Sequence, residues 1–282
     1  MMTQNDFIPR YRCFSLSDFH DFDHCIFRFF VKHHLGKKYE LEEGSPNQAL
    51  GSLLDLTIKK IHQNKLYHQP IEFLINLVKN SEDHMRGKAQ KDGPYSYFGP
   101  QIKFLTPELI KKTQSVIQSY IKTLNGNWQP SISDKTFWQE DVLGSDGGLI
   151  RLWGGPDLIE MGKDNTPEII DFKYFEDQER GKGYLDMDLM PKLYFLLTTA
   201  ELKRLGFNKA RFKLRFWQDA LDESMYEEFS IDQEESFKSY FKSRAEVILR
   251  TTELSFCEKA YCPVCQNPAR TDWQKQIKAE FF

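Results

Sequence analysis

The chain has 282 residues, 28% of them charged, with 23 phenylalanines and a formal net charge of −3. That length supplies a packed core in one elaborated domain or two small ones, and a mean hydropathy of −0.57 excludes a membrane-embedded or disordered chain. Near-balanced charge excludes a polycation that coats nucleic acid, while leaving room for a local basic groove. The longest apolar stretch, Leu193 to Ala200, is far short of the roughly 20 residues that cross a bilayer. No secretory leader and no GxxxxGK[ST] phosphate loop is visible, and the five cysteines are an odd number, so the reading is a cytoplasmic protein without a disulfide framework.

Apolar residues at steps of three and four predict a helix from Ser17 to about His34, ended by Gly36. Ser45-Pro46-Asn47-Gln48 is a helix start, with Ser45 as N-cap and Pro46 in the first turn. Leu50, Leu53, Leu54, Ile58 and Ile61 form that helix's buried stripe. Helices over Ile71–Met85 and Pro107–Leu124 flank an irregular loop at Gly93 to Pro100. From Lys135 the pattern turns to strands, Thr136–Leu143, Leu149–Met161 and Glu168–Tyr174, read as an antiparallel meander. A helix over Leu189–Leu205, a strand over Ala210–Trp217 and a helix over Glu234–Arg250 follow.

Asp157 and Asp171 are 14 residues apart, so a hairpin pairing them turns at residue 164, inside Gly162-Lys163-Asp164-Asn165. Opposed strand residues share a sheet face with β-carbons about 5 Å apart, and Lys173 shares that face by the period of two. Two carboxylates beside a lysine, in strands rich in Leu, Ile, Trp and Phe, are poor core material unless a magnesium or manganese ion joins them. Such a set suits metal-assisted phosphodiester hydrolysis, with Asp157, Asp171 and Lys173 catalytic. A solvent-facing strand pair with scattered charges is the alternative.

Gly155-Pro156-Asp157 and Ile169-Ile170-Asp171-Phe172-Lys173 resemble the G-x-D and D-x-K signature of the PD-(D/E)XK nucleases, in the branch with the RecB and AddB nuclease domains and the CRISPR-associated RecB-like exonucleases. Ser15-Leu16-Ser17, Cys25 and Arg28-Phe29-Phe30 resemble that branch's opening helix, with Ile26 where proline is usual. The resemblance runs from about residue 14 to 265. It implies an α/β restriction-endonuclease-like core, namely helix, three-strand meander, helix and strand around a mixed central sheet. The whole chain is then one nuclease domain, with a helical insert at about 64–130 and a cysteine-bearing segment at about 252–282.

Gly51-Ser52-Leu53-Leu54-Asp55 resembles the G-x-x-x-H helix, with Asp55 in place of the histidine ligand. The resemblance implies a metal held by Asp55, Asp157, Asp171 and the main-chain carbonyl of Phe172. Of the Q-x-x-x-Y motif, Tyr194 is present and Met190 replaces the glutamine; Tyr194 is a candidate nucleic-acid contact, or a helix tyrosine packed on the sheet. Arg211, Lys213 and Arg215 share one strand face, either a phosphate track or a solvated face.

Cys257, Cys262 and Cys265 follow a C-x4-C-x2-C spacing. By the resemblance they join Cys25 around a [4Fe-4S] cluster that staples the chain's two ends. The Cys-Pro-x-Cys knuckle also suits zinc, and Cys13 is expected as a free buried thiol. The reading is a metal-dependent DNA exonuclease acting on single strands or frayed ends, with a helicase, recombination or CRISPR adaptation partner and no membrane. The rival is a catalytically decayed nuclease-fold subunit that binds nucleic acid or assembles a complex.

Overall fold

The computed structural model describes residues 10–37, 44–93, 96–124, 131–133, 135, 138–174, 189–217, 226–257 and 262–281. In chain order the strands are β1 Cys13–Phe14, β2 Trp138–Leu143, β3 Leu149–Gly154, β4 Leu158–Met161, β5 Pro167–Lys173, β6 Lys209–Phe216 and β7 Tyr226–Ser230. The helices are α1 Leu16–His24, α2 Ile26–Phe29, α3 Pro46–Gln63, α4 Ile71–Asp92, α5 Pro107–Leu124, α6 Leu189–Arg204, α7 Glu234–Leu249 and α8 Arg270–Phe281. The result is a mixed α/β, restriction-endonuclease-like fold with two mixed sheets and many helices. Among the described residues no helix is long and apolar enough to cross a membrane.

The chain divides into two compact units, each assembled from separated segments. Residues 1–42, 137–154 and 233–282 form one. Its sheet runs β1-β3-β2, with β2 antiparallel and β1 parallel to β3. Phe19 of α1 packs on Phe14 and on Phe241 of α7, with ring centroids 5.7 and 5.6 Å away. Residues 43–136 and 155–232 form the other, whose sheet runs β4-β5-β6-β7. There α3, α4 and α5 bury Leu50, Leu53, Leu54, Ile58 and Ile61 in one core with Ile170 and Phe172 of β5. The helix start holds as the sequence reads it, since Ser45 Oγ accepts the Gln48 amide at 3.1 Å.

Three expectations change. The helix expected from Ser17 to His34 breaks at Cys25, whose backbone is extended (φ −169°, ψ 112°). Cys25 closes α1 through its own amide and opens α2 by accepting the Arg28 amide on Sγ at 3.4 Å; apolar periodicity carries no signal of such a double cap. A π-turn over Phe30–His34 follows, fixing His33 between Asp18 and Asp21 at 2.7 and 2.8 Å. The strand expected over Leu149–Met161 is two strands in two sheets, divided at Gly154 (φ 152°), a left-handed-side backbone that glycine tolerates, and the following Gly155-Pro156. The antiparallel meander thereby becomes two hairpins, β2–β3 and β4–β5. Edge strand β7 and terminal helix α8 had no matching expectation; β7 is a short polar strand, and α8 is too polar to show a stripe.

Candidate metal centres

The β4–β5 hairpin turns through Gly162–Asn165, with the Gly162 amide donating to Thr166 O at 2.9 Å and Asn165 at φ 62°. Its register pairs Leu158 with Ile170, so one step beyond β4 the chain brings Asp157 alongside Asp171, the pairing expected from their spacing. The Phe172 amide donates to Asp157 Oδ2 at 2.8 Å, locking that carboxylate against the strand carrying Asp171. From α3, Asp55 reaches the same place. Lys59, one turn further along α3, lies 2.9 Å from Asp55 Oδ2 and 3.0 Å from Asp157 Oδ1. Lys173 pairs with Asp171. Sequence reasoning missed Lys59; its available signal was the i,i+4 spacing from Asp55.

Burial and the nearby Asp157 charge push the Asp55 carboxyl up to about 7. Burial also raises Asp171, with Asp157 adding to the shift against the opposing Lys173 charge. Asp157 goes the other way: burial works against its charge, but Lys59, Lys173 and the Phe172 amide outweigh it. Both lysines stand above their ordinary values, because the carboxylates outweigh their desolvation. Asp171 Oδ2 is buried with no aligned hydrogen-bond donor, only the Lys173 ion pair. Carboxylate oxygens are the hard donors that magnesium and manganese take, and Asp171 Oδ2 has room for such a partner.

Tyr194 on α6 packs toward Phe212 of β6, centroids 6.1 Å apart. Burial and the charges of Asp171, Asp157 and Asp55 hold its hydroxyl well above its ordinary value, so it neighbours the carboxylates and keeps its proton. Met190, where the resemblance leads one to expect glutamine, is buried. The basic row of β6 is not brought to this site. Arg211, Lys213 and Arg215 pair in register with Glu168, Ile170 and Phe172, which alternate with Asp171 and Lys173 and therefore occupy the opposite sheet face. Lys213 and Arg215 are buried there: Arg215 binds Glu160, Lys213 lies 3.8 Å from Glu168, and Arg211 meets Asp164 at 3.1 Å and Glu168 at 3.4 Å. A phosphate track needs accessible cations; Lys213 and Arg215 are instead buried against Glu168 and Glu160, while the partly exposed Arg211 pairs with Asp164, Glu168 and Glu228.

In the other unit, the sulfurs of Cys25, Cys257, Cys262 and Cys265 all lie within 4.8 Å of one another, with Cys25–Cys265 at 3.4 Å and Cys257–Cys265 at 3.7 Å. The Phe27 amide donates to Ser255 O at 3.1 Å and the Phe27 and Phe256 rings meet at a tilt of 57° with centroids 4.7 Å apart, fastening the first helices to the C-terminal segment. The Cys262–Gln266 turn presents the last two thiols, and Arg270 donates to Cys265 O at 3.2 Å. Burial pushes the Cys25 and Cys265 thiols up, the opposite of what a reactive surface cysteine shows. Four thiolates are a donor set for zinc or an iron–sulfur cluster. The spacing matches one tetrahedral ion, for which zinc–sulfur bonds of about 2.3 Å place sulfurs roughly 3.8 Å apart; in a cubane each sulfur takes its own iron and stands further off. Cys13 lies outside this group and is half-buried rather than buried.

No curated protein matches the chain. Seven chains among solved structures match it, one being described as the crystal structure of SSO0001, with 13% identity and a TM-score of 0.28 over 67% of this chain and 82% of that one. The family profile of the PD-(D/E)XK nuclease superfamily matches residues 13–270. That span takes in both the Asp157–Lys173 hairpin and the four cysteines, and with it the chain belongs to the PD-(D/E)XK nuclease superfamily.

Proposed function

We propose that the protein is a metal-dependent DNA exonuclease of the RecB-like type, acting on single strands or frayed ends in repair, recombination or CRISPR adaptation beside a helicase or adaptation partner. The observation carrying this reading is the convergence of Asp55, Asp157 and Asp171 with Lys173 around the β4–β5 hairpin. The three carboxylates, with the main-chain carbonyl of Phe172, would hold magnesium or manganese, which would polarise the phosphate and lower the pKa of a water. Lys173 keeps its proton beside Asp171 and offers an ammonium to the phosphate oxygens where charge develops. Tyr194, protonated, donates a hydrogen bond toward the strand at the same site. The phosphate-contact role expected of Lys213 and Arg215 is set aside, since both are buried against glutamates, and Arg211 is already paired with Asp164, Glu168 and Glu228.

Replacing Asp171 with Ala is expected to lower manganese-dependent cleavage of single-stranded DNA by about 10³-fold or more, with the circular dichroism spectrum unchanged. Cleavage at the wild-type rate defeats the assignment. A wild-type protein that binds DNA but cleaves none with either ion supports the decayed-subunit reading. For the cysteines we propose a [4Fe-4S] staple, on the resemblance; the sulfur spacing favours a second reading, a single zinc ion. A brown protein absorbing near 400 nm, with iron and sulfide by analysis, selects the cluster, and a colourless one with one zinc per chain selects the ion.

A further inference from the structure

Lys59 belongs to none of the motifs above, yet its ammonium stands between two carboxylates of the proposed metal site, 2.9 Å from Asp55 and 3.0 Å from Asp157. An Asp-Lys pair at i,i+4 is ordinary on a helix surface, where it contributes only about 0.3–0.5 kcal/mol. The contact to Asp157 is not ordinary, because it reaches from α3 to the end of the β4–β5 hairpin with the Lys59 side chain only 27% exposed. A divalent ion shared by these carboxylates must approach an oxygen of each to about 2.0–2.6 Å. It therefore needs the space between them in which the ammonium sits. A dication and an ammonium cannot share that space, since they repel each other at contact distance in a partly desolvated pocket. The four-carbon stem of lysine lets the charge leave without moving the backbone.

We propose that Lys59 is an exchangeable internal counter-ion of the carboxylate site, seated between Asp55 and Asp157 when no metal is bound and displaced when a divalent ion enters. The proposal rests on the metal-binding reading of Asp55, Asp157 and Asp171. In the metal-free protein the ammonium neutralises carboxylates that would otherwise repel one another. On metal entry the same ammonium is a competitor, so the site binds its ion more weakly than its carboxylates alone would, and the released Lys59 becomes solvent-accessible beside the substrate.

Two measurements test this. In Lys59→Met, which keeps the stem and removes the charge, manganese binding followed by electron paramagnetic resonance of the free ion is expected to tighten by about tenfold. The thermal midpoint of the metal-free variant is expected to fall, and its rise on adding manganese to exceed that of wild type. Lys59→Arg, which keeps the charge, is expected to bind manganese as the wild type does. The second measurement uses the unmodified protein: acetylation of Lys59 by an N-hydroxysuccinimide ester, followed by mass spectrometry, is expected to quicken on adding manganese, with exposed Lys163 as the internal control. If wild type binds manganese but Lys59→Met binds it no more tightly, or manganese leaves Lys59 acetylation unchanged, the exchange is overturned and the metal site stands. If wild type binds no manganese, the metal reading and the exchange fall together.

Discussion

The three carboxylates around the β4–β5 hairpin come with two lysines among them, whereas the four cysteines gather sulfur to sulfur, within 4.8 Å of one another. The difference follows from what each donor is before a metal arrives. A carboxylate is charged at neutral pH, so three of them converge only if ammonium groups, or a raised pKa such as that of Asp55, offset the repulsion. A thiol is neutral, so four can be buried together as small apolar groups and acquire charge only when an ion takes their protons. On the readings proposed above, metal entry at the first site exchanges an ammonium and the Asp55 proton for the ion, and at the second it releases thiol protons alone.

The largest expected break in that comparison is at the cysteines. Replacing Cys25 with Ala removes a proposed metal ligand together with the cap joining α1 to α2, and is expected to abolish bound metal and cost on the order of 5 kcal/mol in stability. Metal analysis and thermal melting check it; a variant that keeps its full metal content separates Cys25 from the set. A smaller effect is expected at Arg215, whose removal leaves the buried Glu160 without the cation that pairs with it, while Glu168 keeps Lys213 and Arg211. Arg215→Met is expected to lose about 3 kcal/mol in denaturant unfolding while the salt dependence of DNA binding stays the same. A weakened salt slope at unchanged stability would restore the phosphate track.

The smallest expected effect is in pH. The Asp55 carboxyl is pushed up to about 7 from an ordinary 3.8, so its contribution to stability is fully present below about pH 4 and is lost as pH rises through about 7. Manganese binding requires that proton to leave, so affinity is expected to strengthen by up to about tenfold per pH unit between pH 5 and 7 and then level off. In Asp55→Asn the slope is expected to flatten, as calorimetry in two buffers would show.

Much of the fold was legible from local signals. Helix α3 carried its cap and stripe together, Pro107–Leu124 stands where periodicity placed it, and the turn at Gly162–Asn165 fixed the register that brings Asp157 to Asp171. The break at Cys25 was not legible, because one residue that closes α1 with its amide and opens α2 with its sulfur leaves the three-to-four periodicity intact across the break. The burial of Lys213 and Arg215 was not legible for a related reason. Period two groups Arg211, Lys213 and Arg215 on one face but says nothing of what lies across the neighbouring strand, and Glu168 and Glu160, against which Lys213 and Arg215 are buried, are 45 and 55 positions away in the chain.

The sequence by itself determined which residues share a strand, a helix face or a turn, and hence the Asp157–Asp171 pairing and the C-x4-C-x2-C spacing of the last three cysteines. Only the tertiary structure decided that Asp55 and Lys59 reach that hairpin, that Cys25 meets cysteines more than 230 positions away, and that Lys213 and Arg215 of β6 are buried. The physical reason is range. Periodicity and turn chemistry act over a few residues and leave their mark on the sequence, while charge neutralisation and thiol clustering are settled between segments that only packing brings together.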